Sequence, residues 1–343
     1  MCIVHLTGIG DIVHGLPIAN DLKRDDPGRT VVWVAEPAPS EVLRHHPSVD
    51  ETVVFRKSRG LAGAMDLKDA LGASPSDLAI NMQRYFKSVP PTVFSGAAIR
   101  IGLDPSKTRD GVSWFHTHHL PPGPWRHTQD LLLGFREPLG IPPSAPVEWR
   151  ITFSPAEDRE RTLFFAGLPD RPVAGLVLGT ANPRKDWPPD RYGPLVERLH
   201  AMGYEVLLIG GPSRRERTTA DLILEGVRRP VVDGLGDSVR AMMWMVAGVD
   251  VLISPDTGPL HLAHAIGTPV VGLFGHTNPA RVGPWKRFRE LVVDRYTEPG
   301  DLPDPSGYDP KSGRMALIGV DEVAERVDLA RRLYGERPRK EPW

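Results

Sequence analysis

One cysteine, Cys2, stands in a chain of 343 residues. A single thiol excludes an intramolecular disulfide and a cysteine-built structural zinc site, and it suits a reducing compartment. Long apolar runs are missing as well. With no uninterrupted stretch of about 18 apolar residues, no membrane-spanning helix is expected. The opening MCIVHLTGIGD lacks the basic region and long apolar core of a signal peptide, so a cytoplasmic protein is expected. An excess of either charge is lacking too: 42 lysines and arginines face 43 acidic residues, a net charge of -1. Nothing global attracts nucleic acid, and any anionic partner must be met by a local cluster.

What is present is length and alternation. The chain exceeds one ordinary hydrophobic core, which predicts two domains of roughly 150 residues each. Cys2–Leu6 reads as a strand, TGIG as a glycine turn, and Asp11 to Arg24 as a helix. Strands are expected at Val31–Val34, Thr52–Phe55, Leu78–Asn81 and Ala98–Ile101, each bounded by turn residues. From Asp104 to Arg150 the chain is rich in proline, histidine and tryptophan and reads as a long functional loop, with a helical period over Leu131–Leu139. Ser154-Pro155-Ala156-Glu157 has the form of a capping box opening a helix to Ala166.

The second half alternates more cleanly. Strands are expected at Val173–Leu178, Glu205–Ile209, Val231–Val232, Val249–Ile253 and Val270–Phe274. Helices are expected at Arg191–Met202, Arg214–Gly226, Ser238–Ala247 and Leu260–Ile266. Both halves therefore read as Rossmann-like α/β domains with parallel sheets. The boundaries are placed at 1–155 and 156–318. Residues 319–343 form a final helix and a frayed basic tail, RPRKEPW, that pack back on the N-terminal domain.

Ligands in open parallel sheets bind beyond the carboxyl ends of the strands, so four strand-to-helix junctions matter most. At Gly8-Ile9-Gly10-Asp11 the aspartate is either an N-cap or a catalyst, and the GxGxxG spacing of a dinucleotide site is incomplete. At Gly179-Thr180-Ala181 exposed amides, a hydroxyl and Lys185 could meet a pyrophosphate. At Gly210–Glu216 a Ser213/Glu216 capping box competes with a ligand role for Glu216. At Ser254-Pro255-Asp256-Thr257-Gly258 a turn leads into a helix with Pro259 in its first turn, an anion site suited to two phosphates. His261 and His264 share a face of that helix, but no third ligand stands at a supporting spacing, and no metal is expected.

These residues resemble glycosyltransferase family 9, the bacterial heptosyltransferases. SPDTGPLHLAHAIGTPVVGLFGHTNPARVGPW is similar to the family's donor-site signature, and LTGIGDIVHGLPIANDLKR and LGTANPRKDWPPDRY are similar to its two others. The resemblance implies a GT-B fold, two Rossmann-like domains with parallel sheets facing a central cleft, the acceptor on the N-terminal domain and the nucleotide sugar on the C-terminal one. It implies transfer of a sugar, heptose from ADP-heptose, onto a lipopolysaccharide inner-core acceptor, with inversion and without a metal ion or other cofactor. Asp11 matches the catalytic base. Gly10, Thr180, Ala181, Lys185, Glu216, Asp256, Thr257, Gly258 and His261 fall at donor positions, Lys185 with a catalytic share in stabilising the leaving diphosphate.

Gln83, Arg84, Lys87 and Ser88 resemble the family's Q-x-x-x-K-S stretch and are acceptor candidates, as are Arg126 and His127. The partners implied are a nucleotide sugar and a lipid-linked oligosaccharide, met by a monomer that can sit peripherally on the inner membrane. Three features depart from the family pattern: Arg84 where a glycine is common, an offset donor glutamate at Glu216, and the proline- and glycine-rich stretch Glu298–Arg314. A nucleotide-sugar epimerase of the same fold, and a transferase using a different nucleotide sugar, are the alternatives.

Overall fold

The computed structural model describes residues Met1–Gly335; the basic tail expected to fray, 337–343, lies outside the described residues. The chain divides into two compact units, Met1–Thr152 and Phe153 onward.

In the first unit β1 (Cys2–Val4) is followed by α1 (Ile9–Asp25), β2 (Val32–Ala35), α2 (Pro37–Ser40), β3 (Glu51–Val54), α3 (Gly60–Gly72), β4 (Leu78–Asn81), α4 (Val89–Phe94), β5 (Ile99–Gly102), β6 (His118–His119) and α5 (Thr128–Leu133). All six strands are parallel, in the order β3-β2-β1-β4-β5-β6. That is the Rossmann order, with its switch point between β1 and β4. Cys2, Val4, Val32, Val34 and Val53 alternate onto one sheet face and pack with Leu67 and Leu71 of α3. Burial pushes the Cys2 thiol up to about 12, leaving it an inert core residue.

The segment 104–150, expected as a long loop with a helical period over Leu131–Leu139, is tied down along its length, and its helix, α5, ends at Leu133. It supplies β6, α5 and a buried ion pair in which Arg136 Nε lies 2.7 Å from Asp21 of α1. The same guanidinium donates to the carbonyls of Pro143, Ala145 and Pro146. Proline supplies acceptors there but no N–H, so arginine takes the role a sheet ladder would have had.

The second unit runs α6 (Pro155–Ala166), β7 (Val173–Val177), α7 (Tyr192–Ala201), β8 (Glu205–Ile209), α8 (Arg214–Gly226), β9 (Val232–Asp233), α9 (Val239–Gly248), β10 (Val251–Pro255), α10 (Gly258–Ile266), β11 (Val270–Phe274), α11 (Pro279–Val282), β12 (Val293–Asp294) and α12 (Val320–Tyr334). Its parallel sheet, β12-β11-β10-β7-β8-β9, repeats the topology of the first, with β7 and β10 at the switch point. The capping box at Ser154 forms in full: Ser154 and Glu157 each accept the other's backbone N–H. Glu157 also takes both arms of Arg240 on α9, at 2.6 and 2.7 Å, which joins the first helix to the body of the unit.

Val323, Ala324, Val327 and Ala330 of α12 are buried, and within the second unit α12 packs against α7 and β11. Arg295 to Glu322 fixes the same placement. A helix that closes a parallel sheet in this way is part of its core, not a separate appendage.

Candidate functional site

At the switch point of the second unit the chain leaves β7 toward β8 and β10 toward β11, in opposite directions across the sheet. The loops after those two strands diverge and open a crevice. Asp256 stands on one side of it, just ahead of the N-cap residue Thr257 of α10. Its carboxylate does not cap the helix. Oδ2 accepts from Lys185 Nζ at 2.7 Å and from Thr277 Oγ1 at 2.8 Å, and Oδ1 faces His261 Nε2 at 3.3 Å. Burial alone would push the Asp256 carboxyl up, but the His261 bond and the Lys185 charge outweigh it and hold the group well below the ordinary carboxylate range. His264, expected on the same helical face as His261, spends its Nε2 on the Trp285 carbonyl at 2.7 Å. Among the described residues no group of three or more histidine, cysteine or carboxylate side chains could hold a metal ion.

Lys185 reaches Asp256 because its loop is braced from within. Thr180 Oγ1 lies 2.8 Å from Asp186 and 2.6 Å from the Asn182 carbonyl, and Arg215 of α8 donates to the Thr180 carbonyl at 2.7 Å. Asn182 accepts the Arg184 amide and so opens the short turn that carries Lys185. The Thr180 hydroxyl therefore shapes the loop, while Ala181, the next residue, is exposed. Glu216 is engaged within its own junction. Ser213 caps α8 through the Glu216 amide, and the Glu216 carboxylate accepts from Gly211 N at 2.9 Å and from Ser213 Oγ at 2.6 Å. A Cβ on Gly179 would stand 2.6 Å from Glu216 Cγ, so the side chain lies across the end of β7 and only glycine lets it. No side chain caps α10, and Thr257 and Gly258 are half-buried at its start with Pro259 in the first turn.

The stretch 298–314 is seated on the junction after β11. Asn278 donates to the carbonyls of Asp304 and Gly307 at 2.7 and 3.0 Å, and His276 Nδ1 lies 2.9 Å from the Lys311 carbonyl. The Arg281 guanidinium stacks 3.9 Å over Tyr308. His276 also stands 3.4 Å from Asn182, so this stretch, the β11 junction and the Lys185 loop form one connected frame.

The first unit's switch point is built differently. Gly8, at φ 81, turns the chain into α1 and is its N-cap residue, with no side chain capping the helix. Asp11 is thus not the N-cap that local sequence allows. It sits in the first helical turn, exposed, its carboxylate folded over Gly8, where a Cβ would stand 3.1 Å from Oδ2. Gly10, one residue earlier, is buried. After β4 the turn is pinned by Asn81, which donates to Ser88 and Thr92 at 2.9 Å each and accepts the amide of the buried Gln83. That turn sends Lys87 across to Thr7 Oγ1, beside Asp11. Burial depresses the Lys87 pKa, and the nearby carboxylates Glu36 and Asp11 oppose that shift.

The other acceptor candidates have partners of their own or face solvent. Arg84 lies 4.9 Å over the Trp125 ring and donates to the Lys107 carbonyl at 2.6 Å. His127 is the N-cap of α5, accepting the Gln129 amide, and Arg126 is exposed. The structure thus brings Asp11 and Lys87 together, and Lys185, Asp256 and His261 together. No role was expected for Thr277, Asn182, Asp186 or Arg215, although Thr277 lies in the segment SPDTGPLHLAHAIGTPVVGLFGHTNPARVGPW and Asn182 and Asp186 lie in LGTANPRKDWPPDRY, both similar to family signatures.

Two parallel Rossmann units, each with polar residues gathered at its own switch point, make up a GT-B fold. The sequence model of glycosyltransferase family 9 (heptosyltransferase) matches residues 64–300, and the chain belongs to that family. Membership counts against the epimerase alternative. The chain is 28% identical over 301 residues to lipopolysaccharide heptosyltransferase 1 of Pseudomonas aeruginosa, covering 83% of this chain and 81% of the relative. It is 24% identical over 302 residues to the lipopolysaccharide core heptosyltransferase OpsX of Haemophilus influenzae, covering 87% and 85%. Among solved structures, a family 9 glycosyltransferase from Veillonella parvula superposes with a TM-score of 0.80 at 19% identity, covering 96% of each chain. The Escherichia coli heptosyltransferase WaaC with ADP-2-deoxy-2-fluoro heptose superposes at 0.72 and 22% identity, covering 96% and 98%.

Proposed function

We propose that this enzyme moves heptose from ADP-heptose onto an inner-core sugar of lipopolysaccharide, acting as a monomer, with inversion at the anomeric carbon and without a metal ion or other cofactor. Its relatives are named as lipopolysaccharide heptosyltransferases, and a structural neighbour holds an ADP-heptose analogue. The observation that carries the reading is the Lys185–Asp256 pair at the N-terminus of α10. A cation fixed beside uncapped helix amides is a diphosphate site that needs no divalent ion.

In this mechanism Lys185 and the α10 amides at Thr257 and Gly258 take up the charge that grows on the departing diphosphate. Asp256 is itself an anion and repels phosphate oxygens. It serves the donor by aiming Lys185 and by accepting from sugar hydroxyls, with His261 and Thr277 holding its other positions. Asp11 accepts the acceptor hydroxyl's proton as that oxygen attacks the face opposite the leaving group. An aspartate in the first turn of a helix is a weak base, so proton transfer comes late, when the attacking oxygen has already become acidic. Lys87, next to Thr7 and Asp11, is placed to meet an acidic group of the acceptor sugar.

Calorimetric titration with ADP, UDP, GDP and ADP-heptose in EDTA, followed by transfer to a lipid A acceptor bearing an acidic inner-core sugar, tests this reading. Selective metal-free binding of ADP and its heptose conjugate is expected, with inverted product configuration by NMR. Preference for UDP or GDP would overturn the donor assignment, and a requirement for divalent metal would overturn the role given to Lys185.

A further inference from the structure

Between β12 and the short turn that opens at Arg314 the chain runs through the proline- and glycine-rich stretch 298–314, and side chains hold it in place. Asn278 donates to the carbonyls of Asp304 and Gly307, Tyr296 Oη donates to the Asp309 carbonyl at 2.9 Å, and Lys311 Nζ donates to the Tyr296 carbonyl at 2.7 Å. A Cβ on Gly275 would stand 2.7 Å from the Arg314 backbone, so the returning chain lies directly against the end of β11. Fixing an irregular stretch costs backbone entropy, and an ordered loop of this length is usually a functional one.

His276, the residue after Gly275, links this stretch to the Lys185–Asp256 pair. Its ring is only 4% exposed and lies between two polar groups: Nδ1 is 2.9 Å from the Lys311 carbonyl, and Nε2 is 3.4 Å from Asn182 Nδ2. A carbonyl only accepts, which puts a proton on Nδ1. The other end of the chain of bonds sets the state of Nε2. Asn182 Oδ1 accepts the Arg184 N–H at 3.2 Å and opens the turn Pro183–Lys185, so the NH2 end of the amide faces the ring. Nε2 must then offer a lone pair, and the ring is neutral. Turning the amide over would set its oxygen against that lone pair and its NH2 against the Arg184 N–H, two mismatches at once. Ring and amide therefore fix each other, and the amide fixes the turn that carries Lys185. Thr277, the next residue, donates to Asp256 Oδ2 at 2.8 Å, the oxygen that takes Lys185 Nζ at 2.7 Å. Adjacent residues thus reach both partners of the pair.

We propose that His276 is a positioning residue for donor binding: in its neutral, Nδ1-protonated form it ties the stretch 298–314 to Asn182 and so holds the turn that aims Lys185 at a diphosphate. The inference rests on the transfer reading above in one respect, that Lys185 meets the donor's phosphates. The stretch 298–314 then acts as a buttress behind the phosphate-binding turn.

The tautomer is read on the wild-type protein by long-range proton–nitrogen NMR of the histidine-labelled full chain at mildly alkaline pH, with the signals of His276 assigned by their loss in His276→Asn and in His276→Gln. A proton on Nδ1 is expected, and a neutral ring protonated on Nε2 overturns the proposal. Calorimetry with ADP reads the consequence. Asparagine at this position keeps a donor near the place of Nδ1 and removes the acceptor at Nε2, so His276→Asn is expected to bind ADP about fivefold more weakly with a melting temperature close to that of wild type. The KM for the donor is expected to rise by a similar factor while that for the acceptor stays within about twofold, a split that general loosening of the fold would not give. Asn182→Ala is expected to weaken ADP binding at least as much, and adding His276→Asn to it to change affinity by less than about twofold, because the ring has nothing left to act through. Full ADP affinity in His276→Asn, or losses in the two single variants that simply multiply in the double one, overturns the proposal. Lys185→Ala separates the two readings: undiminished ADP affinity there overturns the diphosphate site and this inference with it, whereas a loss there with none in His276→Asn overturns the role of His276 alone.

Discussion

The two units share one topology and use it in opposite ways. At the switch point of the second, Asp256 is buried and engaged by Lys185, Thr277 and His261, so its carboxylate is already fixed by the fold. At the switch point of the first, Asp11 is exposed at the start of a helix that no side chain caps. A Rossmann sheet fixes where a ligand sits, and the side chains on two loops decide what it meets there. A leaving diphosphate gains from preorganised charge, whereas a proton acceptor has to remain reachable by a bulky partner.

The largest expected effect would break the comparison at its open end. Asp11→Ala should lower kcat by about three orders of magnitude, the usual scale for a lost general base, while nucleotide affinity measured by calorimetry stays put. Loss of nucleotide binding in that variant would mean that the two switch points do not divide the work. Lys185→Ala should lower kcat by roughly a hundredfold and weaken ADP binding as well, because it removes the cation and leaves the buried Asp256 carboxylate without its lysine partner. Undiminished ADP affinity would take Lys185 out of the phosphate site.

A third test asks how firmly the second unit is framed. Glu157→Gln should cost roughly 3 kcal/mol at neutral pH by breaking the bidentate pair with Arg240. The hydrogen bonds from Arg240 hold the Glu157 carboxyl down at about 2, against an ordinary 4.5. The pair's contribution is therefore complete above about 4.5 and is lost as the pH falls through about 2. The stability gap between wild type and variant, followed by thermal melts, should narrow over that window. A gap that stays constant would show that the arginine pair is not its source. The smallest effect sharpens the comparison: Thr277→Val removes one of the bonds that hold Asp256 and should weaken ADP-heptose binding by about fivefold, on the order of 1 kcal/mol. No change would mean that Lys185 and His261 hold the carboxylate without it.

Much of this was legible in the residues. Leu78–Asn81, Glu205–Ile209 and Val270–Phe274 read as strands and are strands, because each is a short apolar run bounded by turn residues. The edge strand His118–His119 gave no signal, since its two exposed histidines have no period to detect. Helix α3 was hidden because Leu61 and Met65 face water and blur the apolar stripe. Asp11, Lys185 and Asp256 were legible as candidates from their junctions. Whether Asp11 and Asp256 served as caps was not, because a cap depends on which amide the carboxylate reaches.

The sequence by itself determined the alternation of strand and helix, the glycine turns and the polar residues that close each strand, all of which depend on neighbours within a turn or two of chain. Only the tertiary structure decided that Lys185 and Asp256, 71 positions apart, share a hydrogen bond, and that Thr277 completes the set. The reason lies in the crossovers: β7 and β10 are neighbours in the sheet although β8 and β9 come between them in the chain, and no local pattern records which strands lie side by side.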